Sequence, residues 1–118
     1  MLLARIYEKL MLHKVFKFLL FLKIMDEKEV SEKRIKRYID ITKKALIKAK
    51  KSINKKRKKE AEVLYDMAER YYNDAIYFKN KDMLVTAFAA INYAHGWLDS
   101  GSKLGLFKVN DDKLFVIK

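Results

Sequence analysis

His95 and Asp99 stand four residues apart, so on a helix they project from one face. A carboxylate beside an imidazole can orient the ring for general-base work or for holding a cation. Asp74 and Asn92 are the polar residues best placed to join them, with Tyr71, Tyr72 and Tyr93 nearby in sequence. The candidate polar cluster is therefore Asp74, Asn92, His95 and Asp99. The same residues have a structural reading. His95 and Asp99 can hydrogen-bond each other, or a tyrosine hydroxyl, and fix helix register without doing chemistry. No recognisable catalytic motif accompanies them, and none of these residues is assigned a catalytic role. The balance leans towards a protein that is not an enzyme.

A second constellation is Lys55-Lys56-Arg57-Lys58-Lys59. Five consecutive cations read as a phosphate-contacting patch or as the solvated tip of a hairpin. Their setting favours an anionic partner. The chain of 118 residues carries a formal net charge of +12. Residues 1–59 hold 20 Lys/Arg against 6 Asp/Glu, whereas residues 60–118 hold 7 against 9. A basic half joined to a near-neutral half suits nucleic acid or an anionic surface. Tyr77 and Tyr93 fall at the edges of their helical stripes, where they could stack on bases. Cysteine is absent, which excludes disulfides and thiolate metal sites. With only His13 and His95 as imidazoles, neither a metal nor a cofactor is expected. Glutamine is absent while Lys, Glu and Ile abound, a bias seen in thermophiles.

The elements that position these residues are helices. There is no proline, and the three glycines all fall at or after position 96. Ile35, Tyr38, Ile39, Thr42, Leu46 and Ala49 recur at three- and four-residue steps, which predicts a first helix ending near Ser52, with Asp26 or Ser31 as its cap. A turn is expected at Asn54, because an unbroken helix over 31–79 would be ~73 Å long and could not bury its stripe on its own chain. Ala61, Leu64, Ala68, Tyr71, Tyr72, Ala75 and Phe78 mark a second helix from about Lys58 to Lys79. In the following Lys79-Asn80-Lys81-Asp82, Asn80 is expected to take the left-handed conformation and Asp82 to cap the third helix. That helix runs from about Met83 to Ser100, with Gly101 as its stop. Gly96 inside it calls for a compensating close approach by a backbone or an aromatic ring. The tail, with Leu106-Phe107-Lys108-Val109 and Lys113-Leu114-Phe115-Val116-Ile117 around Asn110-Asp111-Asp112, predicts a short β-hairpin.

The expected fold is thus all-α: a three-helix up-down-up bundle over residues 26–118, with a C-terminal β-hairpin. Residues 1–25 form an apolar and basic extension. Its longest apolar run, Phe18 to Leu22, is far shorter than the roughly 20 residues of a membrane span. The extension reads as an extra amphipathic helix, as an oligomerisation segment, or as a stretch preceding a natural start at Met25.

Met67-Ala68-Glu69-Arg70-Tyr71-Tyr72-Asn73-Asp74-Ala75, then Phe78, Asp82, the run Ala87 to Gly101, and Leu104-Gly105 resemble the archaeal domain of unknown function 357 family. The resemblance covers about residues 28 to 117. It implies a three-helix domain, an archaeal cytoplasmic setting and no assigned activity, and it carries no catalytic residues over. The last two helices also loosely resemble the helical toxin domains called HEPN. RNA-cutting members of that group need an Arg shortly before a His, and residues 88–94 contain no Arg, which argues against nuclease activity. The expectation is a non-enzymatic binding or adaptor module whose basic face meets RNA or a ribonucleoprotein. The alternatives are a small-ligand or enzymatic site around His95, Asp99 and Asp74, or a module for protein partners or homo-oligomers.

Overall fold

The computed structural model describes Lys17 and residues 29–117. The expected N-terminal amphipathic helix lies outside the described residues. Residues 29–117 form three α-helices: α1 (Glu32–Lys51), α2 (Lys58–Asn80) and α3 (Leu84–Lys103). A single 3-10 turn, Lys55–Arg57, joins the first two.

Ser31 caps α1, its side chain accepting the Arg34 N–H at 3.1 Å. From there Ile35, Ile39, Thr42, Ala45, Leu46 and Ala49 turn inward as one stripe, and the remaining faces carry lysine and arginine. The expected break falls where Asn54 stands. Its Oδ1 accepts the Lys56 N–H at 3.1 Å, and its Nδ2 donates to the Gly105 carbonyl at 3.0 Å. α1 itself ends at its C-cap Ser52, and Asn54, extended at φ −68° and ψ 109° and not left-handed, starts the 3-10 turn and anchors the end of α3.

The fully packed residues of α2 are three alanines at heptad spacing, Ala61, Ala68 and Ala75. Ala87, Ala90 and Ala94 are their counterparts on α3. Small side chains on both helices let the two backbones approach closely, and α2 and α3 form the most extensive pair in the bundle. The up-down-up order follows from cross-contacts at both ends. Lys79 at the end of α2 lies 3.8 Å from Glu32 at the start of α1. Arg57 before α2 donates to the Leu104 carbonyl at the end of α3, at 2.6 Å.

Both interior helix ends differ from expectation in the same way. Each closes as a Schellman motif later than the composition suggested, its left-handed residue falling two positions on after α2 and four after α3. After α2, the Met83 N–H reaches the Phe78 carbonyl at 2.9 Å and the Asp82 N–H reaches Lys79 at 3.0 Å. Asp82 therefore takes the left-handed position, φ 58°, while Asn80 remains helical. Asp82 does not cap α3; Met83 occupies that place, with no side-chain cap bond. After α3, Leu106 N–H reaches Gly101 and Gly105 N–H reaches Ser102, with Gly105 at φ 73°. Gly101 is thus inside the helix, not its stop.

The compensating contact expected at Gly96 is missing: a Cβ added there meets nothing within 4 Å. Gly96→Ala should therefore raise stability by about 1 kcal/mol through helix propensity alone, read as an increase in urea midpoint at constant m-value.

The C-terminal β-hairpin does not form, and the described residues contain no strand. The tail's apolar residues are claimed separately by the bundle. Phe107 makes an isolated antiparallel bridge to Ile53, with Asn54 N–H donating to Leu106 O and Lys108 N–H to Ser52 O. Asp111 then caps a turn, accepting the Lys113 N–H on its side chain and the Phe115 N–H on its carbonyl, each at 3.0 Å. The turn returns Phe115 to the core, where it is 4% exposed. Trp97 is partly buried against the same cluster, its ring centroid 5.8 Å from that of Tyr93.

Candidate functional site

Three of the four polar candidates come together. Asn92, His95 and Asp99 line a groove of about 280 Å³ between α1 and α3, with Tyr38, Ile41, Thr42, Ile91 and Gly96. Asp74 does not join them. It lines a separate groove between α2 and α3, with Tyr71, Phe78 and Tyr93. The reason is geometric: α3 is flanked by α1 on one side and α2 on the other, and the His95 face of the helix meets α1.

The imidazole is engaged at both nitrogens. His95 Nε2 lies 2.6 Å from the Leu114 carbonyl, and Nδ1 lies 3.0 Å from Thr42 Oγ1. A carbonyl oxygen only accepts, so Nε2 carries a proton. In the neutral ring Nδ1 is then the acceptor and the Thr42 hydroxyl donates to it. No lone pair is left to take a proton from a substrate, which a general base must do. Asp99 stands 3.7 Å from Nε2, and the same oxygen accepts the Val116 N–H at 2.9 Å. The pair thus holds the C-terminal tail through Leu114 and Val116. Asn92 is exposed at the rim of the groove.

Lys48 completes the attachment with an ion pair to Asp111 at 2.7 Å. The Asp111 carboxyl is held below its usual range, chiefly by the hydrogen bond from Lys48 and then by the Lys113 N–H. A depressed folded-state value means that this contribution is complete above the ordinary aspartate range and is lost as pH falls through the folded value. Acidification should loosen residues 111–115 in wild type. Asp111→Asn should show loosened amides at neutral pH and a weaker further response to acid, both read by hydrogen exchange.

The five cations of the connection do not act alike. Arg57 is a structural latch. It donates to Leu104 O and pairs with Glu60 at 2.9 Å. The hydrogen bond to Glu60 raises the Arg57 value and lowers that of the carboxyl. Lys58 lies 3.8 Å from Glu62. Lys55, Lys56 and Lys59 are exposed, with no carboxylate partner among the described residues. Tyr77 and Tyr93, the possible base-stacking residues, are exposed on α2 and α3.

Two structural roles escaped sequence reasoning, that of Thr42 and that of Arg57, which was read with its neighbours as a phosphate contact. Thr42 is the one polar residue buried in the α1 stripe, 2% exposed, and a hydroxyl among Ile, Leu and Ala is a legible request for a partner. Arg57 was hidden inside a run of identical charge. Among the described residues, no group of three or more His, Asp or Glu side chains could hold a metal ion. No helix among them is long and apolar enough to cross a membrane.

A family model described as "Protein of unknown function (DUF357)" matches residues 37–107, more than half of the chain. The chain belongs to the DUF357 family. The match takes in most of α1, all of α2 and α3, and the chain as far as Phe107, whose bridge to Ile53 ties the end of the matched region to the α1–α2 connection. His95 and Asp99 fall inside the match; their tail partners Leu114 and Val116 lie beyond it. No curated protein and no solved structure matches the chain.

Proposed function

We propose that this DUF357 chain is a non-enzymatic binding or adaptor module of an archaeal cytoplasm, whose basic face meets RNA or a ribonucleoprotein. The observation that carries the reading is the outer face of α1. Lys36-Arg37, Lys43-Lys44 and Lys50-Lys51 recur at heptad spacing, and all six are exposed. The pairs follow one another at about 10.5 Å, given ~1.5 Å per residue. Lys55, Lys56 and Lys59 extend the face into the connection. None of the described carboxylates makes an ion pair with these nine cations, so they can displace counterions from a phosphate backbone.

α1 carries no exposed aromatic residue; its one tyrosine, Tyr38, is partly buried against Phe88. Without stacking rings, contact is with phosphates and not with bases, so binding is indifferent to sequence. The His95 geometry supports a non-enzymatic reading of the α1–α3 groove, because both ring nitrogens are engaged, Nδ1 by Thr42 of α1 and Nε2 by the tail carbonyl of Leu114.

The test is fluorescence polarisation with a labelled RNA duplex across a salt series. Wild type should bind at low salt with log K falling linearly in log salt. Changing Lys43, Lys44, Lys55, Lys56 and Lys59 to Glu should weaken binding by more than about 10-fold and flatten the slope. Arg57 is left intact because its loss would perturb the fold. No binding at about 50 mM salt, where phosphate contacts are strong, overturns the reading.

A further inference from the structure

The α2–α3 groove has a different chemistry from the basic face. It occupies about 440 Å³ and is lined by Tyr71, Asp74 and Phe78 from α2, and by Thr86, Ala89 and Tyr93 from α3. The volume lies within the range of roughly 300–1,000 Å³ typical of small-molecule sites. The rings of Tyr71 and Tyr93 stand nearly at right angles, 79° apart, with centroids 4.5 Å from each other. The two rings pack edge to face on each other, and both line the groove, where a guest meets aromatic surface from α2 and from α3. Phe78 adds a third ring to the lining. Asp74 supplies a carboxylate that no described lysine or arginine neutralises.

We infer that this groove binds an alkylammonium group carried by a small molecule, with Tyr71 and Tyr93 contacting its carbon-bound cationic head and Asp74 balancing its charge. Ring faces attract cations and repel anions. An anionic guest would meet both the carboxylate and the ring faces. A purely apolar guest would strip water from Asp74 with nothing to replace it. An ammonium with alkyl substituents satisfies the rings and the carboxylate together. The inference is independent of the nucleic-acid reading, since it uses the opposite charge on a different helix pair.

The probe is choline, titrated into the full-length protein at constant ionic strength and followed by the amide NMR shifts of Thr86 and Ala89. Its neutral carbon analogue, 3,3-dimethylbutan-1-ol, is the control. Saturable shifts with choline and none with the analogue are expected. Asp74→Asn should weaken the interaction by about 5-fold or more, and Tyr93→Ala should abolish it, while Tyr93→Phe retains it. Asp74 and Tyr93 are both exposed, so these variants keep the packed core intact. Equal response to the neutral analogue, equal binding by Asp74→Asn, or no saturable shift overturns the inference.

Discussion

Gly101→Ala should destabilise the protein by roughly 1–3 kcal/mol, although alanine is the better helix former by about 1 kcal/mol. Gly101 lies in the interior of α3, fully buried, and a Cβ built there overlaps the ring of Phe107. The ring has little freedom to retreat. Phe107 is 1% exposed, its backbone is bridged to Ile53, and its neighbour Leu106 is bonded to the Gly101 carbonyl. Overpacking a site fenced in this way forces a backbone shift, not a rotamer change. The control is internal to the helix. Gly96→Ala is the same substitution five residues earlier, in open space, and should move stability the other way. Urea unfolding of the two variants at matched m-value reads the contrast. Equal effects of the same sign at both sites would show that Phe107 does not set the requirement at Gly101. A double variant adding Phe107→Leu to Gly101→Ala should recover part of the loss, which identifies the ring as the obstacle.

The three helices were legible because their apolar residues follow the 3.6-residue period without interruption, from Ile35 to Ala49, Ala61 to Ala75 and Ala87 to Leu98. Their ends were less so, for a specific reason. Aspartate and asparagine both tolerate the left-handed conformation, and sequence does not say which of Asn80 and Asp82 will take it. The position is set by where the Phe78 carbonyl finds its donor, Met83. Glycine has the same ambiguity, since a packing glycine such as Gly101 looks like a stop. The tail failed for another cause. Leu106-Phe107 and Leu114-Phe115 have strand propensity, but propensity is a weak prior where a core offers burial. Phe107 found Ile53 as its partner and Phe115 found the bundle. In the candidate site, His95 and Asp99 were paired correctly by helical spacing, because i,i+4 geometry is local. Asp74 was not, because its distance from His95 depends on which side of α3 faces α2, a fact that three similar amphipathic stripes do not encode.

His95→Leu separates a structural clamp from a reactive site. Leucine fills a similar apolar volume but offers no hydrogen bond. The Thr42 hydroxyl, 2% exposed, and the Leu114 carbonyl both lose their partner. Leaving a buried polar group unpaired costs about 1–3 kcal/mol. The carbonyl can turn to water if the tail lifts, whereas the hydroxyl is sealed under α3. The net loss should therefore be about 2 kcal/mol, nearer to one unsatisfied group than to two. The distribution of that loss is more diagnostic than its size. Amides of residues 114–116 should exchange much faster, while those in the middle of α2 follow only the global change. Adding Thr42→Val should restore part of the stability, because it removes the stranded hydroxyl at nearly constant shape, but it should not re-seat the tail. The proposed RNA binding through α1 should stay within about 2-fold of wild type, since the lysine and arginine pairs on which that proposal rests are exposed, away from the buried Thr42. A variant that kept full stability and an unchanged tail would show that neither hydrogen bond of His95 contributes, and the clamp assignment would have to be given up.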